Sequence, residues 1–294
     1  RLTVDTYSTN LLTTTRVFKD PSAWYNVVCA VDTTSGTADN RVRLYVNGVE
    51  QSNYSTRNNP SQNADLQANN SVIQVVGANY YNSQANVTHD GYIAEFYMID
   101  GQQLTPTSFG ATNPVTNIWE PIAYTGTYGT NGFKLNFTDS SNLGDDTSGN
   151  GNDFTVNNLT SIDQSTDTCS NNFATLNPLN IPTSNQPTFS DGNLTSITNS
   201  STGSYKWGGC STIGVTKGKW YCEAKATVDS TYSRNVIGIT GNATELARTN
   251  ASILNATYSW GYYSSNGTVQ GNGSGDISGF STSYTTGDII MMAL

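Results

Sequence analysis

The densest set of oxygen ligands in this chain is the run Asp145-Asp146-Thr147-Ser148-Gly149-Asn150-Gly151-Asn152-Asp153. Carboxylates and amides spread through a glycine-rich turn are what a flexible Ca2+ site uses, and Asp145, Asp146, Asn150, Asn152 and Asp153 would be its ligands. The run lacks EF-hand spacing and the closing bidentate Glu. The simpler expectation is therefore an Asx-rich turn that closes on itself through side-chain hydrogen bonds, and no other cofactor is expected. His89 is the only histidine and stands beside Asp90. Adjacent residues on a strand cannot act as base and orienter in a Ser-His-Asp arrangement, so a surface role is the plainer one. Asp90 and Glu95 form the one acidic pair on a good strand candidate. A glycosidase needs two carboxylates facing one bond, about 5 Å apart for retention and farther for inversion. Their odd spacing turns Asp90 and Glu95 to opposite faces, so no catalytic residue and no enzyme are expected.

Binding chemistry is better represented. Asn79-Tyr80-Tyr81-Asn82 and Tyr262-Tyr263-Ser264-Ser265-Asn266 set aromatic rings beside amides at predicted loops or strand ends, where a rigid scaffold presents ligand-binding groups. Such clusters suit stacking on a sugar ring with hydrogen bonds to its hydroxyls. For any single tyrosine, packing in a β-sheet protein is the plainer role. Trp24, Trp119, Trp220 and Trp260 are expected in the core or at a domain interface.

Composition narrows the partners. Charged residues are only 12% of 294 while aromatics reach 11%, so the surface is polar through Asn, Ser, Thr and Gly rather than through charge. The net charge of −9, the isoelectric point near 4.4 and the lack of any Lys/Arg run argue against nucleic acid, which needs clustered cations. No apolar run approaches the roughly 18 residues of a membrane span, and no charged-then-apolar leader opens the chain. The start at Arg1 and the stop at Ile289-Ile290-Met291-Met292-Ala293-Leu294 read as cut ends of a fragment. Cys29, Cys169, Cys210 and Cys222 lie far apart without a CxxC pair, which indicates neither zinc nor a redox motif. Cys29 and Cys222 fall in strand-like runs as small buried apolar residues, and a bridge between Cys169 and Cys210 is conceivable.

The elements that must carry these residues are strands. Val42, Leu44 and Val46 alternate with Arg41, Arg43 and Tyr45, the period of a strand with one core face and one wet face. Asn47-Gly48 then supplies the two positive-φ residues of a type I′ hairpin turn. Further strands are predicted at 24–31, 72–77, 91–99, 132–137, 219–226, 235–239 and 259–263, with a last one opening at Gly287-Asp288-Ile289-Ile290. No long amphipathic helix is written anywhere. Pro106, Pro114 and Pro121 mark an ordered wrap or linker. The expected class is all-β, with two β-sandwich (jelly-roll) domains joined by an irregular Pro/Asn/Gly-rich segment.

Three blocks, Asp20-Pro21-Ser22-Ala23-Trp24-Tyr25-Asn26-Val27-Val28, Leu44-Tyr45-Val46-Asn47-Gly48 and Asp90-Gly91-Tyr92-Ile93-Ala94-Glu95-Phe96, together resemble the laminin-G-like, concanavalin-type jelly roll over residues 1–110. Residues 189–294 look like a truncated SPRY domain, through Gly218-Lys219-Trp220-Tyr221-Cys222-Glu223, Val236-Ile237-Gly238-Ile239, Tyr258-Ser259-Trp260-Gly261-Tyr262 and Thr286-Gly287-Asp288-Ile289-Ile290. Residues 111–188 form the joining region, with a strand near 133–137 and the Asx/Gly-rich turn at 145–153. Its segments 124–133, 146–154 and 171–178 are similar to those linking these domains in structural proteins of tailed phages, marine ones especially. The resemblance implies a virion fibre or surface appendage outside the host cell, built as a homo-oligomer and meeting host-surface polysaccharide or glycoprotein and other virion proteins. A purely structural virion module and a polysaccharide depolymerase are the alternatives.

Overall fold

The computed structural model describes the chain apart from residues 7–8, 20–22, 69, 82–83, 90, 116, 185, 199–207, 228–234, 245–252, 254–256, 272–273 and 278–279. Among the described residues strands dominate the regular structure and helix is almost absent. The chain divides into two compact units, Arg1–Asn172 and Phe173–Leu294. Most of the expected joining region thus belongs to the first unit.

The first unit contains β1 (Thr3–Asp5), β2 (Asn10–Thr14), β3 (Val27–Val31), β4 (Val42–Val46), β5 (Val49–Glu50), β6 (Tyr54–Arg57), β7 (Ala78–Tyr81), β8 (Gln84–Thr88), β9 (Phe96–Met98), β10 (Gly110–Thr112), β11 (Trp119–Pro121) and β12 (Phe133–Leu135). Two antiparallel three-stranded sheets run in the orders β1-β2-β6 and β3-β4-β5. They share one apolar cluster of Leu11, Leu12, Val42 and Leu44, with Leu2, Val4, Tyr54 and Leu66 packed against it. Val42, Leu44 and Val46 are essentially sealed from solvent, as the alternation predicts. Burying each such side chain contributes about 1.5–3 kcal/mol. The turn after β4 has Asn47 at φ 49° and Gly48 at φ 77°, and Asn47 Oδ1 accepts from Asn26 N at 2.8 Å.

Four expectations need correction in this unit. The far face of β4 is not wet: Tyr45 is buried, and Arg41 donates to the carbonyls of Ser35 and Pro60, tying neighbouring loops to the hairpin. Residues 72–77 are bends and irregular chain, and the strand starts only at Ala78. Within 91–99 the strand is confined to Phe96–Met98, because Glu95 sits at φ 52°, outside the extended region. The proline-bearing stretch holds the β10–β11 hairpin, with Thr112 opposite Trp119. Trp119 lies against Gly48 and Gly110, where any side chain would strike its ring.

The second unit contains β13 (Thr188–Ser190), β14 (Thr195–Ile197), β15 (Tyr221–Lys225), β16 (Val236–Thr240), β17 (Ser259–Tyr263), β18 (Val269–Gly271), β19 (Ser274–Ile277) and β20 (Ile289–Ala293). Strands β16-β17-β18-β19 form an antiparallel meander, while β13 pairs with β14 and β15 with β20. Gly238 stands opposite Gly261, and a side chain at Gly238 would strike the Trp260 carbonyl. Trp220 and Trp260 are 48% and 40% exposed rather than core residues. Cys222 is exposed as well, and Cys29 has exposed surface on β3 although the crowding around its thiol pushes the pKa up to about 11. All four cysteines are free thiols.

Candidate functional site

The 145–153 turn is built around Asp146, which is buried. Its Oδ1 accepts from the backbone N–H of Lys134 at 2.8 Å and of Ser148 at 2.9 Å; its Oδ2 accepts from Ser148 Oγ and Asn152 N, both at 2.9 Å. Asp153 Oδ1 in turn accepts from Asp146 N at 2.9 Å. Burial alone would raise the Asp146 pKa. The donors from Lys134, Ser148 and Asn152 outweigh it and hold the carboxyl below its ordinary value. Asn150 donates to the carbonyls of Gly129 and Gly132, and Asn152 to those of Thr130 and Gly132. The residues singled out as cation ligands thus act as a staple between 145–153 and 129–134. Asp145 lies at the rim and receives no such bond. Among the described residues, no three His, Cys, Asp or Glu side chains gather where a metal ion could be held.

Next to this staple lies a cluster of rings from distant parts of the chain. Pairing of β9 with β12 sets Lys134 opposite Tyr97. Tyr97 Oη donates to Glu95 Oε2 at 2.6 Å, Lys134 Nζ meets the same oxygen at 3.3 Å, and Lys134 lies 5.4 Å over the Tyr97 ring. Burial, then the bond to the Glu95 carboxylate, pushes the Tyr97 phenol well up. Tyr128 stacks on Tyr97 with centroids 6.3 Å apart and planes 7° apart, and Tyr124 meets Tyr128 edge-on at 5.3 Å. Phe109 closes the group against Tyr97 and Tyr124. Desolvation, then the neighbouring Tyr124, Glu95 and Asp146, raises the Tyr128 phenol too.

Above Tyr128 is an open depression of about 520 Å3, lined by the 126–130 loop with Ser148 and Asn150. That size falls in the range of small-molecule clefts. Its lining holds no charged side chain. A smaller depression, about 390 Å3, lies between Thr15, Arg16 and the 49–53 stretch.

The tyrosine-amide pairs singled out from sequence are placed differently. Asn79 and Tyr80 stand on β7, Asn79 exposed and Tyr80 half-buried. The Tyr81 side chain and all of Asn82 lie outside the described residues, as does Asp90. Tyr262 is committed to packing: its ring lies against Phe280 and Tyr284, and its hydroxyl donates to the Thr282 carbonyl. Tyr263 is half-buried at the end of β17. Asn266 is exposed, and its Oδ1 closes an Asx turn by accepting from Thr268 N and Oγ1. The Tyr97–Tyr124–Tyr128 cluster was missed. Its only sequence signal was the spacing of tyrosines and glycines in 124–132, a segment noted for resemblance rather than for chemistry.

Comparison of the chain with protein families, with curated proteins and with solved structures found no match in any of the three.

Proposed function

We propose that this chain is a non-enzymatic part of a tailed-phage virion, a fibre or surface appendage whose β-sandwiches present tyrosine and amide groups to host-surface glycans. The finer fold in this reading is two jelly-roll sandwiches, laminin-G-like in the first unit and SPRY-like in the second. Two three-stranded sheets on one core, and a second unit that holds the β16–β19 meander and the β15–β20 pair, support it. The observation that carries the functional reading is chemical: partly exposed tyrosines stand on firmly paired strands beside neutral amides and hydroxyls, on a surface with little charge. Rings stack on the apolar faces of sugars and amides meet their hydroxyls, with no need of charge. The test is adsorption. Purified protein should bind host cells or their extracted polysaccharide and compete with phage for them, and Tyr80→Ala should weaken that binding. Protein that never adsorbs, under conditions where phage does, would remove the adhesin reading.

A specific surface favours the structural alternative. Ile289 and Met291 on β20, with Tyr221 on β15 and Trp220 just before it, are each about half exposed or more. Exposed apolar side chains on a two-stranded sheet suit contact with a protein neighbour better than contact with a sugar. Under that reading the chain co-assembles with virion proteins or with its own copies and ignores host glycans. The depolymerase alternative is read by turnover: no reducing ends should appear when β-glucan or alginate is incubated with the protein, and their reproducible release would establish an enzyme.

A further inference from the structure

We infer that the depression over Tyr128 is a subsite for one uncharged pyranose unit of a glycan, an assignment that rests on the glycan-binding reading above. The Tyr128 ring forms the stacking surface, and Tyr128 Oη, Thr130 Oγ1 and Asn150 Oδ1 meet the sugar hydroxyls. Four observations lead there. First, the ring is held still before any ligand arrives: Tyr97 stacks behind it, Tyr124 abuts its edge, and Tyr128 O accepts from Asp100 N at 2.8 Å. A fixed ring loses little freedom on binding. Second, the loop that frames the depression is tied down from beneath, because Asn150 and Asn152 hold the carbonyls of Gly129, Thr130 and Gly132.

Third, the three named polar atoms have no hydrogen-bond partner among the described residues, while their neighbours are occupied. The Asn150 side chain uses only its Nδ2, which donates twice, so its oxygen remains an acceptor; Thr127 Oγ1, by contrast, already accepts from Gln102. Fourth, charge is absent from the lining, and the carboxylates behind it are engaged within the fold. Glu95 is paired with Lys134, and Asp146 is filled with four donors. An anionic sugar would find no cation there and would meet a chain of net charge −9. Gly126 and Gly129 fit the same picture. Side chains there would strike the Tyr124 hydroxyl and the Asp100 backbone, so both positions stay bare and add nothing over the depression.

The site is tested by blocking it without disturbing the cluster. Thr130→Arg projects a long side chain from an exposed position into the depression, and Tyr128→Phe keeps the ring while removing its hydroxyl. Val115→Arg, on the exposed turn between β10 and β11, controls for the added charge. Each protein, checked for native circular dichroism, is titrated calorimetrically against neutral hexose oligosaccharides and the matching uronates picked from a glycan array. The expected result is binding of at least one neutral probe by the wild type and by V115R, with uronates bound at least about tenfold more weakly. T130R should lose at least about tenfold in affinity, and Y128F a smaller amount. If the wild type binds a neutral probe and T130R binds it equally well, the subsite is wrong while the glycan reading survives. Preference for uronates overturns the assignment to uncharged sugars. Should the wild type bind no probe on the array, the glycan reading and this subsite fall together.

Discussion

Asp146 shows how a residue type that looks like a ligand becomes a structural keystone. Four donors converge on one buried carboxylate, three of them backbone N–H groups that would otherwise be left without partners. Asp146→Ala should therefore destabilise the first unit by about 3 kcal/mol, and Asp146→Asn, which keeps one acceptor oxygen, by about half of that, as read from urea unfolding. The lowered pKa fixes the sign of the pH dependence. The contribution of Asp146 is fully present above the ordinary carboxylate pKa and is lost as pH falls through its lower folded value. D146N should accordingly show a flatter loss of stability on acidification than the wild type. Because both Asp146 oxygens are already engaged by donors, neither Ca2+ nor EDTA should move the melting temperature. A clear rise with Ca2+ would restore the cation site.

Among the elements, the β4–β5 hairpin is the one whose local code and tertiary use agree. Asn47 and Gly48 take positive φ for the turn, and Gly48 additionally makes room for Trp119 from the proline-bearing stretch. Gly48→Ala combines backbone strain with a clash on a large ring, so a loss of about 2–3 kcal/mol is expected. Leu44→Ala removes a fully buried side chain from the cluster shared by the two sheets and should cost about 2–5 kcal/mol. Both are measurable as shifts in the unfolding midpoint, and a G48A protein as stable as wild type would show that Trp119 does not press on the turn. The strand residues of β4 were legible because alternation reports burial directly. Strand limits near Glu95 were not, since a positive φ at a non-glycine residue is imposed by its neighbours and leaves no mark in the hydrophobic pattern.

For the molecule as a whole, low charge density and exposed apolar strands set its colloidal behaviour. Self-association should be strongest near pH 4.4, where the net charge vanishes. At neutral pH the acidic surplus opposes it. The double variant Ile289→Lys, Met291→Lys places charge on two exposed positions of β20 and should lower any association measured by sedimentation at neutral pH. An unchanged sedimentation profile of an associating wild type would clear this face of a role in self-contact.

By itself the sequence determined the all-strand character, the hairpin turn at Asn47-Gly48, the buried positions of β4 and the self-closing tendency of 145–153. These are local properties, governed by alternation, by φ preferences and by short-range side-chain bonds. Only the tertiary structure decided that Tyr262 is packing rather than surface, that Trp220 and Trp260 are exposed, and that Tyr97, Tyr124 and Tyr128 meet over the Asp146 staple. Those outcomes depend on which strands pair across long stretches of chain. A single residue's type fixes what it can bond to, whereas its neighbours in space fix whether that capacity is satisfied by the protein or left for a ligand.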